Sequence, residues 1–422
     1  MGYVAVKGGG VAIDESLKLL EFQRAVADEA ADVREIEGAF AGLIDQVMGE
    51  SSLYAPRLAA LALKQASGEP DEAVFLLRAF RSTLERPYVS LPVDTGAMRV
   101  RRRISAAFKD VPGGQVLGAT RDYSHRLLEF GLEQEGDAER MEKRRMLERH
   151  FGIEHRVQDD ACIAADAVGI ADVAADADPL GIASSSGGDR VGIFPRVLDY
   201  LRAEGLVAPA RVDDTPPVDA TMVPLSIPAP RSVRLQTLSR GMTQAVEAFG
   251  YAAIRGFGPA HPTVGELRAG MVEVAVGHPL EQGSSEDAYY LGSIPVTEVE
   301  SVFFSEDGNG VDDGTASRQR TDAVSGSSDG DALSFEVGYG LVMGSAETKA
   351  IAMSVLDHCL NCGDKRYPTQ DEEFVLYHVD GVEATGFISH LKLPHYVTFQ
   401  SKLSSVRATR EEGKVSADAP AV

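Results

Sequence analysis

Cysteine is scarce in this chain. Three residues in 422, Cys162, Cys359 and Cys362, exclude a disulfide-stapled fold and agree with a reducing compartment. No run of 18 apolar residues occurs, which excludes an apolar transmembrane helix. Residues 1–10 lack the basic region and apolar segment of a secretory signal. The expectation is a cytoplasmic protein with no membrane partner. Basic residues are also short: 41 lysines and arginines against 64 acids give a formal charge of −23. Such a balance opposes nucleic acid as a partner. The deficit is concentrated, however. Residues 151–189 hold eight acids against one arginine and residues 281–333 hold twelve against two, leaving only −6 elsewhere. Both tracts are rich in Gly, Ser, Ala and Asp, the composition of solvated loops and not of core.

What is present suffices for a substantial core: 44% of the residues are hydrophobic, and the length suggests two or three domains. Ile36, Phe40, Leu43, Ile44 and Val47 recur at three or four residues, and a second apolar run spans Leu58 to Ala66. A third helix, Asp71 to Leu84, opens after Pro70 with acids first and arginines later, as the helix dipole favours. Later segments alternate in the manner of strands: Met271 to Val276, Ile294 to Phe304, and F-E-V-G-Y-G-L-V-M-G at 335–344. Ala346 to Leu360 reads as a helix. The fold class predicted is α+β, a helical N-terminal part followed by a mixed α/β C-terminal part with acidic disordered insertions. The boundaries are a mainly helical domain over 1–150, an insertion over 151–189, a connector and the start of the α+β domain over 190–304, a second insertion over 305–333, a C-terminal α+β part over 334–407, and a disordered tail over 408–422.

Several stretches could carry chemistry. Lys7-Gly8-Gly9-Gly10 reads better as a turn into a helix than as a phosphate cradle, since it lacks phosphate-loop spacing. Arg99, Arg101, Arg102 and Arg103 form the densest basic cluster, either a solvated face or a site for phosphate oxygens. Arg231, Arg234 and Arg240 can project from nearby turns of one helix. Gly338 and Gly340 mark a close approach in a strand. His261, held extended by Pro262, sits in the shaped loop R-G-F-G-P-A-H-P. Cys359-x-x-Cys362 is a weak zinc or redox signal without a second pair.

Polar chemistry is densest over Asp371 to Gln400, which holds three of the nine histidines. His390 and His395 are five apart, so on a helix their rings would diverge by about 140°. On a strand they would face opposite sides. Pro394 bends the chain between them, making a shared metal ion feasible with a third ligand from His378, Glu372, Glu373, Glu383 or a second chain. Ordinary hydrogen-bonded histidines are the alternative.

Long ordered blocks carry a family likeness: Y-V-A-V-K-G-G near the start, L-A-A-L-A-L-K-Q-A-S-G at 58–68, R-R-I-S-A-A-F-K-D-V-P-G-G-Q at 102–115, D-Y-S-H-R-L-L, R-S-V-R-L-Q, R-G-F-G-P-A-H-P, G-Y-G-L-V-M-G, Q-D-E-E-F-V-L and G-F-I-S-H-L-K-L-P-H-Y. In these blocks the chain resembles the PhnI family, the I subunit of the carbon–phosphorus lyase core complex. The acidic material at 151–189 and 305–333 departs from that pattern and reads as surface-loop insertion. The resemblance implies displacement of adenine from ATP, with Mg as its usual companion, by methylphosphonate at ribose C1, giving α-D-ribose 1-methylphosphonate 5-triphosphate. A subunit acting alone would be a nucleosidase. It also implies partner subunits G, H, L and the radical iron–sulfur subunit J, and zinc held by His390 and His395 at the interface with J. Inversion at the anomeric carbon calls for a carboxylate near the ribose, a donor at the purine and cations on the triphosphate. The candidates are Asp371, Glu372 and Glu373 for the first, His261 or His378 for the second, and Arg231, Arg234, Arg240 and Lys392 for the third, with Gly338 and Gly340 approaching the substrate. Two rival readings are a non-catalytic scaffold whose metal and arginine sites serve assembly, and a stand-alone metallohydrolase.

Overall fold

The computed structural model describes residues 9–26, 30–151, 194–209, 215–257, 261–278, 288–304, 334–393 and 396–417. The expectations for Lys7, Gly8, Cys162, His395 and most of both acidic tracts lie outside the described residues. The chain forms two compact units, one of residues 32–380 and one that joins residues 1–31 to 381–422. No helix among the described residues is long and apolar enough to cross a membrane.

The larger unit opens with four helices, α2 (Val33–Ala39), α3 (Ala41–Ser51), α4 (Pro56–Gln65) and α5 (Pro70–Arg81). Local rules explain their starts. Asp32 caps α2 by accepting the Arg34 and Glu35 N–H groups, and Pro56 and Pro70 occupy first turns where no amide hydrogen is needed. Ile44, Val47 and Met48 pack with Ala59, Leu63, Val74 and Leu77 in a buried seam. Arg78 of α5 then reaches across the unit, with Nη1 2.7 Å from both carboxylate oxygens of Asp380 and Nε 2.9 Å from the Glu50 carbonyl.

A four-stranded antiparallel sheet follows in chain order: β1 (Arg99–Ile104), β2 (Thr263–Val276), β3 (Tyr289–Phe304) and β4 (Phe335–Met343). Adjacent arginines of the basic cluster therefore point to opposite faces. Arg102 and Arg103 are buried, Arg102 against Glu347 at 2.7 Å and Asp122 at 2.8 Å, Arg103 against Glu266 at 2.5 Å. At these two positions the cluster is internal ion pairing and not a surface patch.

One face of the sheet, with Leu267, Val299 and Val342, receives the long helix α10 (Glu347–Cys362). Gly338 and Gly340 face that helix: a Cβ on either would fall well inside contact distance of the Ser354 or Ala350 carbonyl oxygen. Short helices complete the layer: α8 (Arg231–Arg240), α9 (Thr243–Ala252) and α11 (Glu372–His378) contribute Leu238, Val246 and Val375 to the same core. Across the chain lie α6 (Asp137–Phe151), shorter than the pattern over 126–150 suggests, and α7 (Val197–Ala203).

The smaller unit comprises α1 (Gly9–Arg24), α12 (Gly381–Ser389) and α13 (Tyr396–Ala417). Gly9 and Gly10 lie in the first turn of α1, in keeping with a turn into a helix. The tail expected from residue 408 is helical as far as Ala417. Arg407, Arg410 and Glu411 are straight-chain residues that lose little freedom in a helix, which favours its continuation.

The close seat of α10 gives a stability test. Gly338→Ala or Gly340→Ala should lower unfolding stability by about 1–3 kcal/mol through overpacking, measured by urea denaturation. Gly9→Ala, with open space around its Cβ position, should cost nothing comparable.

Candidate functional site

The sheet face turned away from α10 carries charge at its centre. Period-two alternation and the register Glu266 to Glu300, Arg268 to Glu298 and Glu300 to Tyr339 bring these side chains to one side. Apolar side chains wall the group at both ends, Val302 with Val197, Leu198 and Leu201 at one, Met98 with Val272 and Val296 at the other.

Within those walls the charged groups are largely paired with partners of opposite character. Arg268 donates to the Glu298 carboxylate and, at 2.8 Å, to the Thr95 carbonyl. Arg196, just before α7, reaches Glu300 at 3.2 Å, Glu298 at 3.4 Å and the Thr95 hydroxyl oxygen at 2.5 Å. The hydroxyls of Thr95 and Tyr339 donate to Glu298 at 2.7 and 2.9 Å. Beside them Glu266 accepts from Arg103 at 2.5 Å and from the Val197 N–H at 3.1 Å.

The two central carboxylates titrate apart. Burial alone would raise Glu298, but Arg268 and Arg196 more than offset it and hold that carboxyl below its ordinary range. Glu300 has no such surplus of cations: burial, then repulsion from Glu298, pushes it up to about 7. Burial and the same carboxylate also drive Tyr339 up, so its hydroxyl stays a donor. A fixed anion beside a group half-protonated at neutral pH is the division of labour that acid and base chemistry needs.

A second polar group surrounds the start of α8. Arg231 pairs with the buried Asp357 of α10 at 2.6 and 3.1 Å, and Asp357 also accepts the Tyr339 N–H of the edge strand at 3.0 Å. Arg234 donates to Asn361 at 2.6 Å, and Glu372 accepts the Ala229 N–H at 2.6 Å. Tyr339 thus links both groups, through its amide to Asp357 and its hydroxyl to Glu298.

Of the residues expected from sequence, the structure gathers Arg231, Arg234 and Glu372 here. Arg240 donates to the Ala220 carbonyl at 2.7 Å, and burial, then the Arg78 charge, lowers it to about 10. Asp371 caps α11, accepting from the Glu373 and Phe374 amides, while Glu373 is exposed. His378 lies with Nδ1 2.6 Å from the Phe374 carbonyl oxygen and packs on that residue's ring. His261 is exposed, with Nδ1 3.1 Å from the Pro262 carbonyl oxygen. Gly338 and Gly340 face α10, and packing accounts for both. Lys392 and His390 belong to the smaller unit, where Lys392 is exposed. His390 presents Nδ1 to the Phe387 carbonyl; the tautomer that donates there carries its lone pair on Nε2, the form that ligates zinc.

Glu298, Glu300, Arg268, Arg196, Tyr339 and Asp357 are absent from the sequence expectations. A signal for three of them, Arg268, Glu298 and Glu300, existed. In G-E-L-R and T-E-V-E the charges alternate with Leu267 and Val299, marking one face of a strand as polar. Counting Glu298 and Glu300 within the acidic tract 281–333 concealed it.

The chain matches known proteins along nearly its whole length. Residues 2–413 match the family described as Bacterial phosphonate metabolism protein (PhnI). HtxH of Stutzerimonas stutzeri, whose name makes it a candidate C-P lyase subunit, is 40% identical over 419 residues, 98% of this chain and 97% of HtxH. Two proteins named alpha-D-ribose 1-methylphosphonate 5-triphosphate synthase subunit PhnI align as well. The one from Escherichia coli (strain K12) is 38% identical over 416 residues, covering 97% of this chain and 99% of its own length. The one from Rhizobium meliloti (strain 1021) is 39% identical over 422 residues, covering 97% and 95%. On this full-length match the chain belongs to the PhnI family of bacterial phosphonate metabolism proteins.

Proposed function

We propose that this chain is a subunit of a carbon–phosphorus lyase complex, where it displaces adenine from ATP with methylphosphonate at ribose C1. The product would be α-D-ribose 1-methylphosphonate 5-triphosphate. The observation that carries this reading is the alignment with two synthase subunits over 95% or more of either length. Companion subunits G, H and L would make the transfer productive, J would follow in the complex, and water would replace the phosphonate when the chain acts alone.

The chemistry needs one inverting displacement through an oxocarbenium-like transition state. In our reading Glu298, held anionic by Arg268 and Arg196, stabilises positive charge on the sugar. Glu300 protonates the departing purine, its proton passing from the carboxyl to the base as the C1–N bond breaks. Asp371, Glu372 and Glu373 were the carboxylates expected from sequence; capping and the Ala229 amide employ the first two, which favours the sheet pair. Arg231 and Arg234, on the α10 side of the β4 edge, would meet the triphosphate, reached around that edge from the carboxylate pair, and Mg would supply further neutralising charge. His390 and His395 would hold zinc together with a ligand from a partner subunit, and that ion need not take part in the glycosyl step. The site is taken to be cytoplasmic, where ATP is supplied.

An assembly role has separate support. Helix α1 buries none of its residues, and Val11, Ile13, Leu17, Leu20 and Phe22 are all more than half exposed. On the same unit Phe387, Ile388, Leu391, Val397 and Phe399 are equally exposed. Surface of this kind in a folded protein marks partner contact.

Three measurements follow. With companion subunits, ATP and methylphosphonate, Glu300→Gln should cut kcat by about 10²–10⁴ and remove the pH limb near 7, seen as adenine release. Full turnover in that variant would remove Glu300 as the proton donor, whereas no adenine release from the unaltered chain, with or without its companions, would leave it a scaffold. Because folding raises the Glu300 pKa from 4.5 to about 7, stability should fall as pH rises through that window, and urea unfolding of Glu300→Gln should lack the fall. Leu17→Asp with Phe22→Asp should abolish co-purification with the companion subunits and spare the fold; unchanged assembly would exclude α1 as a contact.

A further inference from the structure

A third polar cluster lies at the C-terminal end of α10, on the sheet face opposite the carboxylate pair. His358 and Cys362 are four residues apart on one helix and so share a side. Glu336 reaches them from β4. Its Oε2 lies 2.6 Å from His358 Nε2, and Cys362 Sγ lies 3.8 Å from His358 Nδ1. One ligand atom from each of the three residues falls within 4.8 Å of the other two. The imidazole is held in place by Phe303 of β3, whose ring stacks on it at 3.7 Å with planes 3° apart. Cys359, the other half of the C-x-x-C, does not join. It is buried and faces Thr369, and burial pushes its thiol up to about 12. The motif is therefore no dithiol: its exposed sulfur pairs with an imidazole.

We infer that Glu336, His358 and Cys362 form a binding site for a divalent cation of borderline softness, Zn²⁺ by its donor set. A carboxylate oxygen, a ring nitrogen and a thiolate sulfur are the three ligand classes zinc takes, and three protein ligands leave a fourth position for water or an anion. Glu336, His358 and Cys362 all belong to the larger unit, and none of them is part of the H-x4-H motif. Glu336 and Cys362 are exposed and His358 is buried, which gives the ion an entry path against a fixed ring. Glu336 and Cys362 meet different ring nitrogens, Nε2 and Nδ1, so an ion held at about 2.0–2.3 Å by one nitrogen requires the exposed side chain at the other to swing round the ring.

The same geometry accounts for what sits there without an ion. Burial would lower His358, but Cys362 and Glu336 outweigh it and raise the ring to about 9, so a proton occupies the place between the acidic partners. Ligation through a ring nitrogen and a thiolate leaves no proton on either ligand atom, so binding of the ion should release protons.

Cobalt is the probe. The full chain, stripped with chelator and titrated with Co²⁺, should develop a thiolate-to-cobalt charge-transfer band that Zn²⁺ bleaches. The band should persist in Cys162→Ser and in the double variant His390→Ala/His395→Ala, and vanish in Cys362→Ser, whose exposed site keeps the fold intact by circular dichroism. Glu336→Gln should weaken Co²⁺ binding by about tenfold or more. Absence of the band, its survival in Cys362→Ser, or its loss only in the H-x4-H double variant would overturn the assignment.

Discussion

Charge inside a protein must be matched, and the central sheet is built around that constraint. Glu266, Arg268, Glu298 and Glu300 lie at 2–6% exposure on neighbouring strands, where an unpaired ion would cost several kcal/mol. The register answers this by setting Arg268 opposite Glu298, and β1 with the connecting segments answers it by bringing Arg103, Arg196 and Thr95 onto the same face. The match is complete for Glu266 and Glu298 and incomplete for Glu300. That shortfall is what the proposed chemistry uses, because the carboxyl with the weaker cationic support stays half-protonated at neutral pH. A hydrophobic substitute could stabilise the sheet as well; it could not hold an anion beside a proton donor.

Helix α10 is the second organising element, since it serves both faces of the argument. Its small contacts with Gly338 and Gly340 set the depth at which it lies on β4. At that depth Asp357 reaches the edge-strand amide of Tyr339 and also Arg231, while His358 reaches Phe303 and Glu336. Tyr339 then carries its hydroxyl to Glu298 on the far side. The arginines at the start of α8 and the carboxylates of the opposite face are thus coupled through one residue of β4.

Much of this architecture was legible in the sequence. Periodicity and Pro70 located the first helices, alternation located the second half of β2, most of β3 and β4, and the apolar pattern located α10 nearly to its ends. The site was legible only in part. Arg103 finds Glu266 across 163 residues and Arg196 finds Glu298 across 102, distances over which local pattern carries no register. Arg102 and Arg103 read as a surface patch because nothing nearby in sequence announces their carboxylates. Glu372 looked catalytic from the acids clustered around it, and the Ala229 amide that occupies it lies 143 residues away. The C-x-x-C misled for a simpler reason: i and i+3 on a helix share a side, but one thiol sits inside the core and the other at the surface.

The account turns on two neighbouring carboxyls existing in different protonation states. Carboxyl-labelled glutamate in the folded chain, followed by carbon-13 NMR across a pH titration and assigned with the two Glu→Gln variants, reads that directly. Glu300 should titrate near 7 while Glu298 stays ionised to below the ordinary carboxylate range. Two resonances moving together near 4.5, the ordinary glutamate value, would contradict it.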